Sequence, residues 1–221
     1  MRWRLHRTPA PAGTPPDSGS DPPGGAREES HHSPGLKEAL ARVREGRHCS
    51  VLDLGPAMNS TIQYLSRFGC RLRVVDLQNE LAGAAGGGSQ PADRLAAAIS
   101  RILPDDLEAF DLTLAWDVFD HLDPEPARVL AARLLRLCRH RGRLFALTAS
   151  QVEMLRPGTA FAIRDESTLL CRPGAGEPRR RRLFNPGDFE RLLGGFRIES
   201  SCLWRSGMRE WVAARAEEDP A

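Results

Sequence analysis

The chain has 221 residues, enough for one domain of ordinary size with a tail. Hydrophobic residues make up 41% and charged residues 27%, the proportions of a soluble globular protein with a core of useful size. Basic and acidic residues number 31 and 29, and a net charge of +2 is too little to argue by itself for a nucleic-acid or membrane partner. Lys37 is the only lysine, so nearly all positive charge is arginine.

Residues 1–34 hold seven of the 17 prolines, separated by Gly, Ser and Thr with few apolar groups. Such a segment buries too little surface to offset the entropy of ordering it, and it is expected to be a disordered tail. It opens MRWRLHR, but Pro and polar residues follow where a signal peptide would turn apolar. No window approaches the run of ~20 apolar residues that a membrane helix needs, and the expected location is cytoplasmic. His31 and His32 read as a solvated pair at the end of this tail. The domain is expected over 35–216, followed by a short tail at 217–221.

From Gly35 the texture changes. Leu36, Leu40 and Val43 have helical spacing, and Gly46 follows as a stop. Cys49 to Gly55 (CSVLDLG) reads as a short buried strand ending in a glycine turn. Asn59, Ser60 and Thr61 offer caps for a helix to about Phe68, with Ser60 and Gln63 at capping-box spacing and Gly69 as the stop. Arg71 to Leu77 is the next strand, ending in the acid Asp76. Strand, turn, helix, strand is the opening unit of a doubly wound, mostly parallel α/β sheet. A flexible loop is expected at Gly83–Ser89, then a helix over 92–103, a strand over Phe110–Trp116, a helix over 124–139 and a strand over Gly142–Thr148. Short strands at 160–164 and 167–171 interrupt an irregular segment from 151 to about 182. A helix at 186–193 precedes a C-terminal antiparallel hairpin, Phe196–Trp204 and Arg209–Arg215.

In such sheets ligands bind at the carboxyl ends of the strands, which here carry Asp53, Gly55 and Asp76. A glycine turn lets a ligand lie against bare backbone, and a strand-end carboxylate can accept both hydrogen bonds of a ribose diol. A dinucleotide fingerprint would need glycines at 57 and 60, where Ala57 and Ser60 stand.

VLDLGPAMNS, then RVVDL, FDLTLAWDVFDHL, RGRLFALT and the terminal hairpin together resemble a class I S-adenosylmethionine-dependent methyltransferase over roughly residues 36–215. The resemblance implies a Rossmann-like sheet of seven strands, six parallel and one antiparallel, and S-adenosylmethionine as cofactor. The family's first motif is acid-x-Gly-x-Gly-x-Gly. Its acid and first glycine match Asp53 and Gly55, while Ala57 and Asn59 replace the other two glycines. Ala adds only a methyl group there, and Asn tolerates positive φ better than most residues. Pro56 fits an LGP-type turn in place of the glycines.

By the same resemblance Asp76 would hold the ribose, Trp116 would line the pocket, and Asp117 or His121 would serve as base for an oxygen or nitrogen acceptor. The family's third strand has no counterpart before Phe110, and Asp105 is the candidate for its adenine contact. Structural readings stand beside these: Asp53 as holder of its own turn, Asp76 as a strand-end acid, Asp117 and His121 as loop residues, Trp116 as a core aromatic. The expected function is methyl transfer to an unidentified acceptor. The alternative is a catalytically inactive methyltransferase-like domain acting as a binding or regulatory partner.

The five cysteines lack metal-ligand spacing and read as reduced thiols, and no metal is expected. The Arg179–Arg182 run reads as a solvated loop, with no interleaved aromatics to suggest nucleic acid. Acceptor and oligomeric state are not legible.

Overall fold

The computed structural model describes residues 28–45, 49–84, 92–105, 107–150, 158–174 and 183–216. The order begins β1 (Glu29–His32), α1 (Pro34–Ala39), α2 (Ala41–Arg44), β2 (Ser50–Asp53), α3 (Asn59–Ser66), β3 (Arg71–Val74), α4 (Leu77–Ala84) and α5 (Ala92–Ile102). It continues with β4 (Phe110–Trp116), a 3-10 turn (Val118–His121), α6 (Pro124–Leu137), β5 (Cys138–Ala149), β6 (Ala160–Asp165) and β7 (Thr168–Arg172). The end is α7 (Pro186–Leu192), β8 (Phe196–Leu203) and β9 (Met208–Arg215).

The main sheet has six strands in the order β3-β2-β4-β5-β9-β8. β3, β2, β4 and β5 pair in parallel, while β9 runs antiparallel to both of its neighbours. Among the described residues the main sheet has six strands where seven were expected: α4 and α5 lie between β3 and β4, and β3 stands at the edge. Both faces of the sheet are covered, which is why its central strands read as apolar runs. On one face Leu52, Leu54, Ala146, Trp211 and Ala213 pack against α4 to α7. On the other, Val51, Leu112, Leu114, Phe145 and Val212 pack against α1, α2, α3 and a second sheet of order β1-β7-β6.

Three local expectations change. α3 begins at Asn59, with Met58 as an N-cap that makes no side-chain bond, so Ser60 and Gln63 form no capping box. The helix expected over Leu36–Val43 is two pieces, α1 and α2, meeting at Leu40. The strand expected to run to Leu77 stops at Val74, and Leu77 opens α4: the Asn79 amide donates to Asp76 Oδ1 at 3.3 Å, which makes Asp76 the cap of that helix.

The disordered tail expected through residue 34 also stops short. Glu29–His32 pair antiparallel with Thr168–Cys171, and the His31 ring stacks on Trp204 at 4.9 Å. Ser33 caps α1 by accepting from Leu36 N at 3.1 Å. Its hydroxyl donates to Glu210, and Gly35 N donates to the same carboxylate at 2.9 Å. Glu210 is 1% exposed, so these donors are what a buried carboxylate there requires. Deleting residues 1–33 should therefore cost about 2–4 kcal/mol, from a lost cap and a buried carboxylate short of a donor. Deleting 1–27 should cost little. Denaturant melts of the two truncations make the comparison, and equal stability would show that β1 and Ser33 contribute nothing. Residues 1–27, the 217–221 tail, most of the Gly83–Ser89 segment and the Arg179–Arg182 run lie outside the described residues.

All five cysteines are free. Burial pushes the Cys49 and Cys138 thiols up to about 12, which leaves both as unreactive thiols. Among the described residues no helix is long and apolar enough to cross a membrane.

Candidate functional site

The parallel strands β2, β3 and β4 end side by side, and their last residues and following turns converge. One cleft is lined by Leu54, Gly55, Pro56, Asp76, Gln78, Trp116, Asp117, Thr159 and Phe161, among others. Gly55, Pro56, Asp76, Trp116 and Asp117 were all singled out from the sequence. Ala57 and Asn59 are exposed and outside this lining, and neither adopts positive φ. The tolerance of Asn for that region is therefore not used.

Asp53 is 2% exposed and lies beneath the cleft. Its Oδ1 accepts from Gly55 N at 2.9 Å and from the Trp116 indole Nε1 at 2.6 Å. Both the turn and the indole are thus held by one carboxylate. A Cβ on Gly55 would lie 2.8 Å from Trp116 Cδ1 and 2.9 Å from Nε1, so only glycine lets the ring lie against this backbone. Trp116 has φ +46°, a conformation that bulky residues rarely adopt and that marks local strain. Its ring meets Phe145 edge-on at 6.0 Å and stacks on Phe161 at 6.1 Å. It is both core aromatic and cleft wall.

Burial pushes the Asp53 carboxyl up to about 6, with the charge of Asp76 adding to the rise and the bonds from Trp116 and Gly55 opposing it. A carboxyl raised on folding binds more protons in the native state between its unfolded and folded values. Its stabilising contribution is complete below about pH 4 and is lost as pH rises through about 6, a difference of roughly 3 kcal/mol. Asp53→Asn removes this titration while keeping an acceptor oxygen. Relative to wild type, the variant should gain about 2–3 kcal/mol between pH 4 and pH 7.5, read from denaturant melts at both. A constant difference across that range would show that Asp53 does not titrate there.

Asp76 is half-buried, and its Oδ2 also accepts from Asn79 Nδ2 at 2.5 Å. Asp117 is 1% exposed, with Oδ1 accepting from Gln78 Nε2 at 3.0 Å and Oδ2 lying 3.2 Å from His121 Nε2. The 3-10 turn brings these two candidates together; Asp117 lines the cleft, and His121 stands behind it. Buried Asp120 fixes the turn by accepting from Ala149 N at 2.8 Å, tying the end of β4 to that of β5. A buried carboxylate beside an imidazole orients the ring, the arrangement of a proton acceptor. Asp105 pairs with Arg133 of α6, an interaction that serves the turn before β4.

Gln78, Thr159 and Phe161 are among the lining residues not found from the sequence. Gln78 directly follows the strand expected over Arg71–Leu77, where no motif marked it. Phe161 arrives on β6 and Thr159 just before it, from a region with no motif, and no local signal pointed from there to the ends of β2 and β4.

No protein-family model and no curated protein sequence matches the chain. Many solved structures do. An S-adenosylmethionine-dependent methyltransferase from Mesorhizobium loti is 16% identical, with 82% of this chain and 96% of that one covered and a TM-score of 0.51. The 1,6-didemethyltoxoflavin-N1-methyltransferase of Burkholderia thailandensis is 20% identical, covering 84% and 80%, at a TM-score of 0.49. The magnesium protoporphyrin IX methyltransferase of Synechocystis is 18% identical, covering 82% and 78%, at 0.46. With its parallel strands, one antiparallel strand and strand-end glycine turn, and with the Mesorhizobium structure aligned along most of its length, the chain has the class I methyltransferase fold.

Proposed function

We propose that the chain binds S-adenosylmethionine at the carboxyl ends of β2, β3 and β4 and transfers its methyl group to an acceptor yet to be identified. The observation that carries this reading is the convergence of Gly55, Asp76, Trp116 and Asp117 on one cleft. The donor set suits the cofactor: a carboxylate for the ribose diol, a glycine turn for close approach, an aromatic wall. The space does not. With Phe161 stacked on Trp116 the cleft has about 10 Å³ of open volume, room for about one water molecule. Binding thus requires Phe161 and its strand to withdraw.

When bound, the cofactor supplies an activated sulfonium methyl, so the protein's task is mainly to position the acceptor. Asp76 would hold the ribose, Leu54 to Pro56 would face the cofactor, and Asp117 with His121 would take a proton from an acceptor that must lose one.

The small cleft and the replaced glycines favour a second reading, a domain of this fold that binds a partner without catalysis. Calorimetric titration of S-adenosylmethionine and S-adenosylhomocysteine separates the two, using wild type and an Ala57→Gly/Asn59→Gly variant. Binding by wild type, kept or improved in the variant, supports the enzyme reading. If neither protein binds at millimolar cofactor, the second reading takes its place.

A further inference from the structure

A larger concavity lies at the opposite pole of the sheet. It has a volume of about 510 Å³ and is lined by Arg42, Arg141, Arg143, Arg197 and Arg215, with Glu199 as the only acid among the described lining residues. Arg141 and Arg143 come from the start of β5, Arg197 from the start of β8, Arg215 from the end of β9 and Arg42 from α2. These are the amino ends of the parallel strands, away from Gly55, Asp76 and Asp117. We propose that this cleft binds a compact polyanion carrying two or more phosphate groups.

Several features converge on that chemistry. Glu199 is shared, accepting from Arg143 Nε at 2.7 Å and lying 3.6 Å from Arg197 Nη2. Arg143 also donates to the Glu38 carbonyl at 2.8 Å, and Arg215 donates to Glu108 and to the Cys138 carbonyl, each at 2.8 Å. Two of the guanidiniums are therefore held in fixed orientations on rigid strands, and the described lining carries five guanidiniums against Glu199, with Glu108 paired to Arg215. Guanidinium forks match phosphate oxygens in pairs, and an anion relieves their mutual repulsion.

The backbone is also distorted to build this wall. β4 advances from Phe110 to Leu112 while β5 advances from Cys138 to Arg143, so the extra residues bulge out. Within the bulge Arg141 has φ +60°. A Cβ on the next residue, Gly142, would lie 2.9 Å from the Arg139 carbonyl oxygen and 3.0 Å from that of Phe110. A bulge re-aims side chains, and strain of this kind accumulates where a ligand is met. Among the described residues the lining contains no aromatic ring on which a base could stack. The cleft therefore reads phosphates, whether free or at the end of a nucleotide.

The test is calorimetric titration of the full chain with inorganic tripolyphosphate, ATP and adenosine at low and high salt. Tripolyphosphate and ATP should bind with similar affinity, weaker as salt rises, and adenosine should not bind. Arg42→Glu/Arg197→Glu should weaken tripolyphosphate by about thirtyfold or more. Arg128→Ala, on exposed α6, should leave it unchanged. A melting scan of the unaltered chain with and without tripolyphosphate reads the same binding without any substitution. Glu217, Glu218 and Asp219 follow the cleft-lining Ala216 in sequence, so the titration is repeated with these changed to Gln, Gln and Asn. No binding in either form, equal loss in Arg128→Ala, or tighter binding of a mixed-sequence RNA oligonucleotide than of tripolyphosphate would each overturn the proposal.

Discussion

Asp76→Ala should weaken S-adenosylmethionine binding by about tenfold to a hundredfold. A ribose diol would donate two hydrogen bonds to this one carboxylate, and a bond to a charged acceptor is worth ~1.5–3 kcal/mol net. The same side chain caps α4, since its Oδ1 takes the Asn79 amide. Alanine should therefore also cost about 1 kcal/mol of stability. Asparagine separates the two roles. It caps a helix as well as aspartate does, so Asp76→Asn should melt like wild type, while its loss of charge leaves an affinity between those of wild type and alanine. Titration beside melting curves reads both. Equal affinity in all three proteins would mean that Asp76 serves only the helix.

Phe161→Ala should move stability and affinity in opposite directions. Phe161 is 3% exposed, and truncating a buried phenylalanine typically costs about 3–5 kcal/mol. The same truncation clears the ring that stacks on Trp116 and enlarges the cleft over Gly55 and Asp117. Cofactor binding no longer has to displace that ring, so affinity should rise even as the melting temperature falls. Phe161→Leu, which keeps more of the packing, should show a smaller change of each kind. A phenylalanine that was only core would lower both quantities, and that result would remove Phe161 from the gate of the site.

Much of the fold was legible because its signals are local. β2, β4 and β5 are apolar runs, as strands buried on both faces must be, and glycines close α3 and α7. The terminal hairpin follows from its alternation around Ser206 and Gly207. β1 had no such signal. His31 and His32 sit among polar residues, and their pairing with Thr168 and Leu169 joins segments far apart in sequence. The start of α4 did carry one: Asp76 three residues before Asn79 is a cap, hidden by its candidacy as a ligand-holding acid. At the site, the residues on strand ends were found because topology places all strand ends together. Phe161 was missed because its contact with Trp116 depends on how β6 folds over the sheet, which no spacing encodes.

Among the described residues no strand lies beyond β3, which stands as the edge at one side of the main sheet. Such an edge invites a strand from another molecule, the first step of aggregation. Here the edge has four residues, two of them the exposed Arg71 and Arg73. A second chain approaching in register would set its own Arg71 and Arg73 near these, and like charges brought side by side repel. A short, charged β3 thus disfavours pairing with a second copy along the side where the sheet is one strand narrower.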